Sequence, residues 1–235
     1  MSQTIYLAED EKNIRILVLS FLKKEGYHVH AFETGDALYE KFLEKAADLV
    51  ILDIMMPGSS GFTICKKLRA ISNVPIIMLT ARDTDEDYTS GITLGSDAYF
   101  TKPFSPIKLT MQVKAMLRRV EMNHQKATSE SNVSNQTHFL DITINHDKLT
   151  ACCGNTELKL THTEFALLSF LVANKERAVS REELLSQIWG YDAIIQTRAT
   201  DDTIKRLRKK LLTAGSKVLI NTVRGYGFLV GDENG

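Results

Sequence analysis

The 235-residue sequence contains only three cysteines, which is too few for the disulfide framework of a small secreted protein. No C-x-x-C pair occurs. A metal site from Cys152 or Cys153 with His138 or His146 is conceivable, but zinc ligand sets usually show paired short spacings, which disfavours it. Cysteine usage therefore indicates a reducing compartment, and we expect a cytoplasmic protein.

Long hydrophobic runs and net charge are also missing. No stretch of 18 apolar residues occurs, so we expect no membrane span. The first residues, MSQTIYLAEDEK, turn acidic at once and lack a basic segment, so a secretory signal is not expected. Basic and acidic residues balance at 29 each, so the overall charge points to no class of partner. The sequence is 43% hydrophobic, which is enough for two cores of ordinary size.

The first half of the sequence alternates short apolar runs with amphipathic segments. Residues 1–120 contain five such strand–helix units in series, which predicts a doubly wound five-stranded parallel sheet of the α/β class. The predicted strands are TIYLAED, YHVHAF, DLVILD, VPIIMLTA and DAYFTK. Their continuous apolar character fits a sheet that is covered on both faces.

The pattern changes after a polar stretch. Residues 121–137 have almost no large apolar side chains and are predicted to be a linker. Residues 138–235 contain three short predicted strands, three predicted helices and a C-terminal hairpin, which indicates a second, α+β domain. Cap-like starts precede two of these helices: Thr161 with Glu164, and Ser180 with Glu183.

Acidic and polar residues stand where the predicted parallel strands end. Glu9 and Asp10 end the first strand, Asp53 the third, Thr80 the fourth and Lys102 the fifth. In an open parallel sheet these ends meet at one edge, where ligands bind. Three carboxylates packed together repel one another unless a cation joins them, and Mg²⁺ suits such ligands.

The same residues permit phosphoryl chemistry. A carboxylate such as Asp53 is a competent nucleophile toward phosphorus. Lys102 and the metal can neutralise phosphoryl oxygens, and the Thr80 hydroxyl can donate to one of them. Taken singly, an Asp at a strand end is usually a cap or turn residue and an exposed Lys is usually solvated. The occurrence of all these residues at successive strand ends favours a functional pocket.

Four motifs in register over residues 4–119 resemble the receiver domain of two-component response regulators, which has a flavodoxin-like fold. These motifs are Glu9-Asp10, LDIMMPG, MLTA and TKPF. The resemblance implies that Asp53 accepts phosphate from a sensor histidine kinase. It also implies that Glu9, Asp10, Asp53 and the backbone carbonyl of Met55 hold Mg²⁺. Lys102 would contact the phosphoryl group, with a cis bond to Pro103. Thr80 and Tyr99 would form the switch pair, although Tyr99 could equally be a core residue.

Haloacid-dehalogenase-like phosphatases also use an Asp nucleophile at a strand end. They carry a second Asp two residues later, where this sequence has Met55, and the sequence leaves no room for their cap domain. We therefore expect no enzyme acting on outside substrates.

Five of the six residues 205–210, KRLRKK, are basic. Ile204, Leu207 and Leu211 lie at helical spacing beside them, so one stripe of this helix is predicted to be buried. Such charge runs are usually solvated faces, but this one precedes a hairpin with a basic tip. A helix for the major groove plus a basic wing is a DNA-binding arrangement.

THTEFALLSFL, IWG, KRLRKKL and INTVRGYGFLV resemble the winged-helix output domain of the OmpR/PhoB subfamily over residues 139–230. The resemblance implies that the third helix and the wing contact double-stranded promoter DNA. The helix residues are Arg198, Thr203, Lys205, Arg206 and Arg208, and the wing residues are Thr222 and Arg224. It also implies that the loop 190–197 contacts RNA polymerase. Trp189 is more simply explained as a core residue.

The subfamily typically dimerises through crossed salt bridges on one receiver face, and several members are missing here. The relevant positions hold Tyr88, Ala98, Lys108 and Gln112. Exposed salt bridges set register more than affinity. We therefore expect receiver dimerisation to be weaker, differently arranged or less dependent on phosphate than in the subfamily.

Two hypotheses follow. In the first, phosphorylation switches dimerisation and binding to tandem half-sites. In the second, the protein binds DNA constitutively and its receiver serves as an interaction module. In either case we expect a homodimer, at least on DNA. LDIMMPGSSGFTIC and PIIMLTARDTDED resemble the VanR-type regulators of cell-wall antibiotic responses.

Overall fold

The computed structural model describes residues 3–81, 95–126, 135–189 and 198–232, and it leaves out the side chains of residues 119–126, 198 and 199. The chain divides into two compact units, Met1–Leu117 and Arg118–Gly235. No described helix combines the length and apolar character needed to cross a bilayer.

The first unit contains the predicted five-stranded, all-parallel sheet, and its strand order is β2-β1-β3-β4-β5. Its strands are β1 (Thr4–Ala8), β2 (His28–Phe32), β3 (Leu49–Asp53), β4 (Ile76–Thr80) and β5 (Ala98–Thr101). Its described helices are α1 (Lys12–Lys24), α2 (Gly35–Glu44), α3 (Gly61–Ile71) and α4 (Pro106–Lys126).

Alternation along the strands builds this core. Successive residues of a strand point to opposite faces. On one face, Tyr6, Val50, Leu52 and Met78 pack against the buried side chains of α2 and α3. The alternate strand residues are also fully buried, which leaves the other face to α1 and α4. The strands β1, β3 and β4 are buried along almost their whole length. Because all five strands run parallel, the polar groups at their carboxyl ends lie at the same sheet edge.

The sequence also predicts a fourth helix over DEDYTSGITLG, besides the linker over residues 121–137. The predicted fourth helix, residues 85–95, lies outside the described residues except for its last position. The last helix of the unit, α4, continues to Lys126 and strand β6 begins at Gln136, so both ends of the predicted linker 121–137 belong to regular elements. Residues 121–126 contain neither glycine nor proline, so nothing in their sequence ends the helix.

The second unit contains two antiparallel sheets and three described helices. The four-stranded sheet has the order β6-β7-β8-β9, and the three-stranded sheet has the order β10-β12-β11. The strands are β6 (Gln136–Phe139), β7 (Ile142–Asn145), β8 (Thr150–Cys153), β9 (Thr156–Leu158), β10 (Val179–Ser180), β11 (Leu219–Val223) and β12 (Gly227–Gly231). The helices are α5 (His162–Ala173), α6 (Arg181–Trp189) and α7 (Arg198–Thr213).

Both predicted caps are present. The Thr161 hydroxyl accepts from the Glu164 N–H, and the Glu164 carboxylate accepts from the Thr161 N–H at 2.9 Å, which forms a capping box at the start of α5. The Ser180 hydroxyl accepts from the Glu183 N–H at 3.0 Å. The two-residue strand β10 escaped prediction because it has no periodicity of its own and exists only by pairing with β12.

Candidate metal centre and nucleic-acid interface

An acidic pocket forms at the carboxyl ends of β1 and β3. Glu9, Asp10 and Asp53 each offer a carboxylate oxygen, and these oxygens lie within 4.8 Å of one another. Glu9 and Asp53 are buried, and Asp10 is exposed. The three residues converge because β1 and β3 are parallel neighbours whose ends meet at one edge.

Lys102, which follows β5, reaches into this pocket. Its Nζ donates to Glu9 Oε1 at 2.8 Å and to Asp53 Oδ2 at 2.7 Å. Its backbone N–H donates to the Thr80 carbonyl at 2.6 Å, which fixes the chain after β5 against the end of β4. The Lys102–Pro103 peptide bond is cis. Of the predicted pocket residues, Lys102 therefore makes the direct contacts that join Glu9 and Asp53.

Burial dominates the electrostatics of Glu9. It raises the pKa of this carboxyl to about 7, aided by the nearby Asp53 charge and opposed by Lys102. Burial also acts to lower the pKa of Lys102, but its bonds to the two carboxylates leave that pKa raised. The pocket thus combines a lysine held in its charged form with a glutamate that is reluctant to ionise.

The donor set fits a hard divalent cation. Glu9 Oε2 is buried and has no hydrogen-bond partner within the part of the chain that the structure describes. A buried carboxylate oxygen without a partner is costly, and a cation would relieve that cost. Clustered carboxylate oxygens are ligands that Mg²⁺ prefers.

The loop after β3 is tightly folded around Asp53. The Met55 N–H donates to Asp53 Oδ1 at 3.4 Å, and the Met55 side chain is exposed. The Gly61 N–H donates to the Ile54 carbonyl, and any Cβ at Gly61 would overlap the Asp53 carbonyl oxygen. Glycine is therefore required where α3 begins, because this backbone passes directly against that of Asp53.

Sequence reasoning missed Arg15 of α1. Its guanidinium donates to the carbonyls of Glu9 and Asp10 at 2.7 and 2.9 Å, and it pairs with Glu33. These bonds hold the backbone of the acidic pair. A basic residue one turn into the helix that follows the acids was the available signal, but basic helix residues are too common to be singled out.

Thr80 and Tyr99, the predicted switch pair, are both buried. Thr80 ends β4 at the edge that carries the pocket. Tyr99 of β5 lies beside Met78 of β4 in register and belongs to the core on the α2 and α3 face. The Tyr99 ring is therefore an inward-facing core side chain in this structure.

Three of the four side chains considered as a cysteine and histidine metal site bond to other partners in the structure. Within the described ranges, the acidic trio is the group of three or more potential ligands that comes together. Cys153 Sγ donates to Asp141, and His146 is bonded to Thr137. His138 is bonded to Thr143.

The basic helix α7 places its cations in different surroundings. Lys205 and Lys209 are exposed. Arg206 and Lys210 both pair with the buried Glu164 of α5, at 3.0 and 2.5 Å. The predicted apolar stripe of Ile204, Leu207 and Leu211 is buried, as expected.

Thr203 departs from the prediction. Its side chain is 2% exposed, so it does not lie on the exposed face of α7 that DNA could contact. Position 203 is adjacent to Ile204 and four residues before Leu207, which places it at the border of the buried stripe. Its hydroxyl instead accepts from Arg206 at 3.3 Å. The side chain of Arg198 lies outside the described residues.

Arg208 joins α7 to the hairpin. Its Nε donates to the Ile220 carbonyl at 2.7 Å and its NH2 group to the Thr222 hydroxyl at 2.8 Å. Arg224 at the hairpin tip is exposed, beside Gly225 with its φ of +72°. Trp189 is buried, as expected of a core residue, and the predicted polymerase loop 190–197 lies outside the described residues.

The residues that replace the subfamily's salt-bridge partners on the receiver face differ in their exposure. Ala98 and Gln112 are buried, and Lys108 is exposed. Asp97 is also buried; it accepts from Arg69 at 2.7 Å and from the Ile76 N–H at 2.9 Å. Tyr88 lies outside the described residues.

Comparison with known proteins places both halves in families. Residues 5–114 match the response regulator receiver domain, and residues 155–230 match the C-terminal domain of transcriptional regulatory proteins. The chain is 40% identical over 224 residues to the uncharacterized transcriptional regulatory protein YclJ of Bacillus subtilis, covering 95% of this chain and 97% of that protein.

Solved structures agree. A cysteine-to-serine mutant of RitR is 25% identical, with a TM-score of 0.77 over 98% of this chain and 100% of that one. The response regulator DrrB of Thermotoga maritima, an OmpR/PhoB homologue, is 31% identical, with a TM-score of 0.50 over 97% and 99% of the two chains. With a receiver fold, an acidic pocket at its sheet edge and a C-terminal regulatory domain of matching family, the chain belongs to the OmpR/PhoB response regulators, which are DNA-binding transcriptional regulators of two-component systems.

Proposed function

We propose that this regulator is switched by phosphorylation of Asp53 by a sensor histidine kinase. The observation that carries the proposal is the contact of one ammonium group, Lys102 Nζ, with both Asp53 and Glu9, beside a buried Glu9 oxygen that has no partner among the described residues. The pocket thus contains the acceptor carboxylate of Asp53, the ammonium of Lys102 and a Glu9 carboxylate with an oxygen available to a metal ion.

In the proposed reaction, an Asp53 carboxylate oxygen forms a bond to phosphorus as the bond from phosphorus to the kinase histidine nitrogen breaks. Lys102 neutralises charge on the phosphoryl oxygens, and the Thr80 hydroxyl donates to one of them. Mg²⁺, held by Glu9, Asp10, Asp53 and the Met55 carbonyl, would supply the remaining charge neutralisation.

The output follows from the added charge. A phosphoryl group brings roughly two negative charges to the pocket. Through Thr80 and Tyr99, these charges shift an existing equilibrium toward a dimer-competent form. Two output domains then bind promoter half-sites roughly 10 bp apart, in the cytoplasm, with the loop 190–197 available to RNA polymerase.

A second function is favoured by the receiver face. Ala98, Lys108 and Gln112 replace charged residues that the subfamily uses for dimerisation, and Ala98 and Gln112 are buried. In this alternative, the protein binds DNA without phosphorylation and the receiver serves as a protein-interaction module.

Intact mass after treatment with acetyl phosphate and Mg²⁺ tests the proposal, with Asp53→Ala as the matched variant and gel filtration of each sample. We expect the wild type to gain one phosphoryl group and the variant to gain none. A gain accompanied by a shift to a dimer supports the switch. Absence of phosphate from a folded protein, both with acetyl phosphate and with a cognate kinase, favours the interaction module.

A further inference from the structure

The five cations of the run 205–210 within α7 fall into three environments, and this division carries an inference about the DNA interface. We propose that Lys205 and Lys209 are the cations of this run that contact duplex phosphates, and that Glu164 withdraws Arg206 and Lys210 from that surface. The inference rests on the proposed DNA binding and deepens it. It states how many positive charges of the run 205–210 are available to DNA phosphates and names Glu164 as the residue that determines this number.

Both carboxylate oxygens of Glu164 are held by hydrogen bonds. Its side chain is fully buried, and its Oε2 accepts both from the Thr161 N–H and from Lys210 Nζ, while Oε1 accepts from Arg206 Nε at 3.0 Å. The capping box ties it to the first turn of α5. A buried carboxylate that loses one of its cations carries a large penalty, so DNA phosphates compete poorly for Arg206 and Lys210.

Lys210 has a further tie. Its Nζ also donates to the Lys159 carbonyl, just ahead of α5. The ammonium therefore has acceptors on two neighbouring segments. Arg206 is similarly engaged, because its NH2 group donates to Thr203 and its side chain is 11% exposed.

Arg208 is withdrawn in another way. Its guanidinium bonds to the Ile220 carbonyl and Thr222 hydroxyl and lies 5.8 Å from the centre of the Phe228 ring. Burial lowers the pKa of this arginine from its ordinary value, which reflects how far it has left water. Its contacts fix the hairpin to α7.

Lys205 and Lys209 differ from the other three. They are four residues apart, so they lie on the same side of the helix, and both are exposed. The described ranges provide no ion pair for either residue. The sequence resemblance had included Lys205 and passed over Lys209.

The proposal predicts the salt dependence of DNA binding. Each phosphate contact adds roughly 0.9 to the slope of log affinity against log salt, whatever the DNA sequence. A mixed-sequence duplex therefore serves as the probe. Removing a phosphate-contacting cation flattens the slope, whereas removing a cation that only holds the fold changes stability and leaves the slope as it was.

We would measure binding of the full chain to a mixed-sequence duplex by fluorescence anisotropy, between about 50 and 200 mM KCl. The variants are Lys205→Gln and Lys209→Gln, with Lys210→Gln as the matched control on the same helix. We expect each of the first two to flatten the slope by roughly one contact and Lys210→Gln to leave it unchanged.

Glu164→Gln provides the positive test. Once Arg206 and Lys210 are released from the carboxylate, the slope should steepen by about one to two contacts, even as the melting temperature falls. This readout separates a positioning role from a merely structural one, because lost packing alone does not add phosphate contacts. Circular dichroism checks that this variant folds; if it does not, Lys210→Gln decides.

A slope for Lys210→Gln as flat as that for Lys205→Gln overturns the inference, as does an unchanged slope for both Lys205→Gln and Lys209→Gln. Failure of the wild type to bind the duplex at the lowest salt is a different result. In that case no slope exists, and the proposed DNA binding fails together with this inference.

Discussion

Glu9 is a carboxyl that the fold keeps away from water. Burial, reinforced by the charge of Asp53, raises its pKa to about 7, and Lys102 only partly offsets this. Below about pH 4.5, its ordinary value, the group is protonated in the folded and unfolded chains alike. Between that pH and about 7 the unfolded chain ionises first, so the free energy of unfolding should fall as pH rises.

The substitution Glu9→Gln should therefore stabilise the metal-free protein at pH 8, by about 1–3 kcal/mol. The same change should remove most of the stabilisation that Mg²⁺ gives the wild type, because a metal-binding carboxylate is lost. Thermal unfolding at pH 5 and pH 8, with and without Mg²⁺, measures both effects.

Glu40→Gln, at an exposed position on α2, is the control and should behave as wild type. Equal stabilisation of Glu9→Gln and wild type by Mg²⁺ would mean that Glu9 is not a metal ligand.

Position 61 requires glycine for a steric reason. Its Cβ would overlap the Asp53 carbonyl oxygen and lie 2.9 Å from the Asp53 carbonyl carbon. Gly61→Ala should destabilise the protein by about 1–3 kcal/mol and reduce phosphoryl uptake, because the backbone of the acceptor must shift. Urea unfolding and intact mass after acetyl phosphate test the two parts.

Gly26→Ala serves as the comparison. Its φ is +88° and no atom lies within 4 Å of the added carbon, so the cost should be about 1 kcal/mol of backbone strain with normal phosphoryl uptake. Equal losses of uptake in both variants would contradict the steric explanation for Gly61.

Among the elements, the hairpin of β6 and β7 is tied to the end of α7 by one side chain. Asp141 accepts from the Ser216 hydroxyl at 2.9 Å and from the Lys217 N–H at 2.8 Å, just after the helix. Burial acts to raise the pKa of Asp141, but these hydrogen bonds outweigh it and the pKa is lowered. The contribution of Asp141 is thus present above the unfolded pKa, near 3.8, and is lost as pH falls through the folded value.

Asp141→Asn should accordingly destabilise the protein at pH 7 by about 1 kcal/mol, because Asn keeps one acceptor oxygen and loses the charge. The difference from wild type should narrow as the pH falls below about 4, where the wild-type carboxyl becomes protonated. Chemical unfolding across this range measures it, with the exposed Glu157→Gln as the control. A difference that stays constant with pH would rule out the charge as the cause.

The elements also show what the sequence could and could not predict. The five parallel strands were predictable because each buried strand shows its apolar run locally, and the pocket because its residues stand at strand ends. The pairing of Glu164 with Lys210 was not, because it joins residues 46 apart in sequence and depends on how α5 packs against α7. For the same reason, the sequence could not separate the exposed cations of the basic run from the paired ones, and buried Thr203 was assigned to the DNA-contacting face.

At the scale of the whole molecule, the question is how the phosphoryl signal reaches DNA. The altered receiver face predicts that phosphorylated protein dimerises weakly or by a different arrangement. Sedimentation velocity of the full chain, with and without acetyl phosphate, should show a smaller dimer fraction than in a subfamily member that has the crossed salt bridges. Asp53→Ala should be unaffected by the reagent.

Lys108→Glu returns an acidic residue to one exposed position of that face and should change the dimer fraction. A tight, phosphate-dependent wild-type dimer that is lost on mutation of the remaining charges of this face would show that the missing salt bridges have been replaced.

The buried pairing of Glu164 has a kinetic consequence. A regulator must leave wrong sites quickly to find the right one, and its residence time on arbitrary DNA grows with each phosphate that it neutralises. By keeping Arg206 and Lys210 paired within the protein, Glu164 would shorten the time that the regulator spends at each non-target site. The buried acid would therefore speed the search for promoters, and its loss would slow the response even where affinity for the target rises.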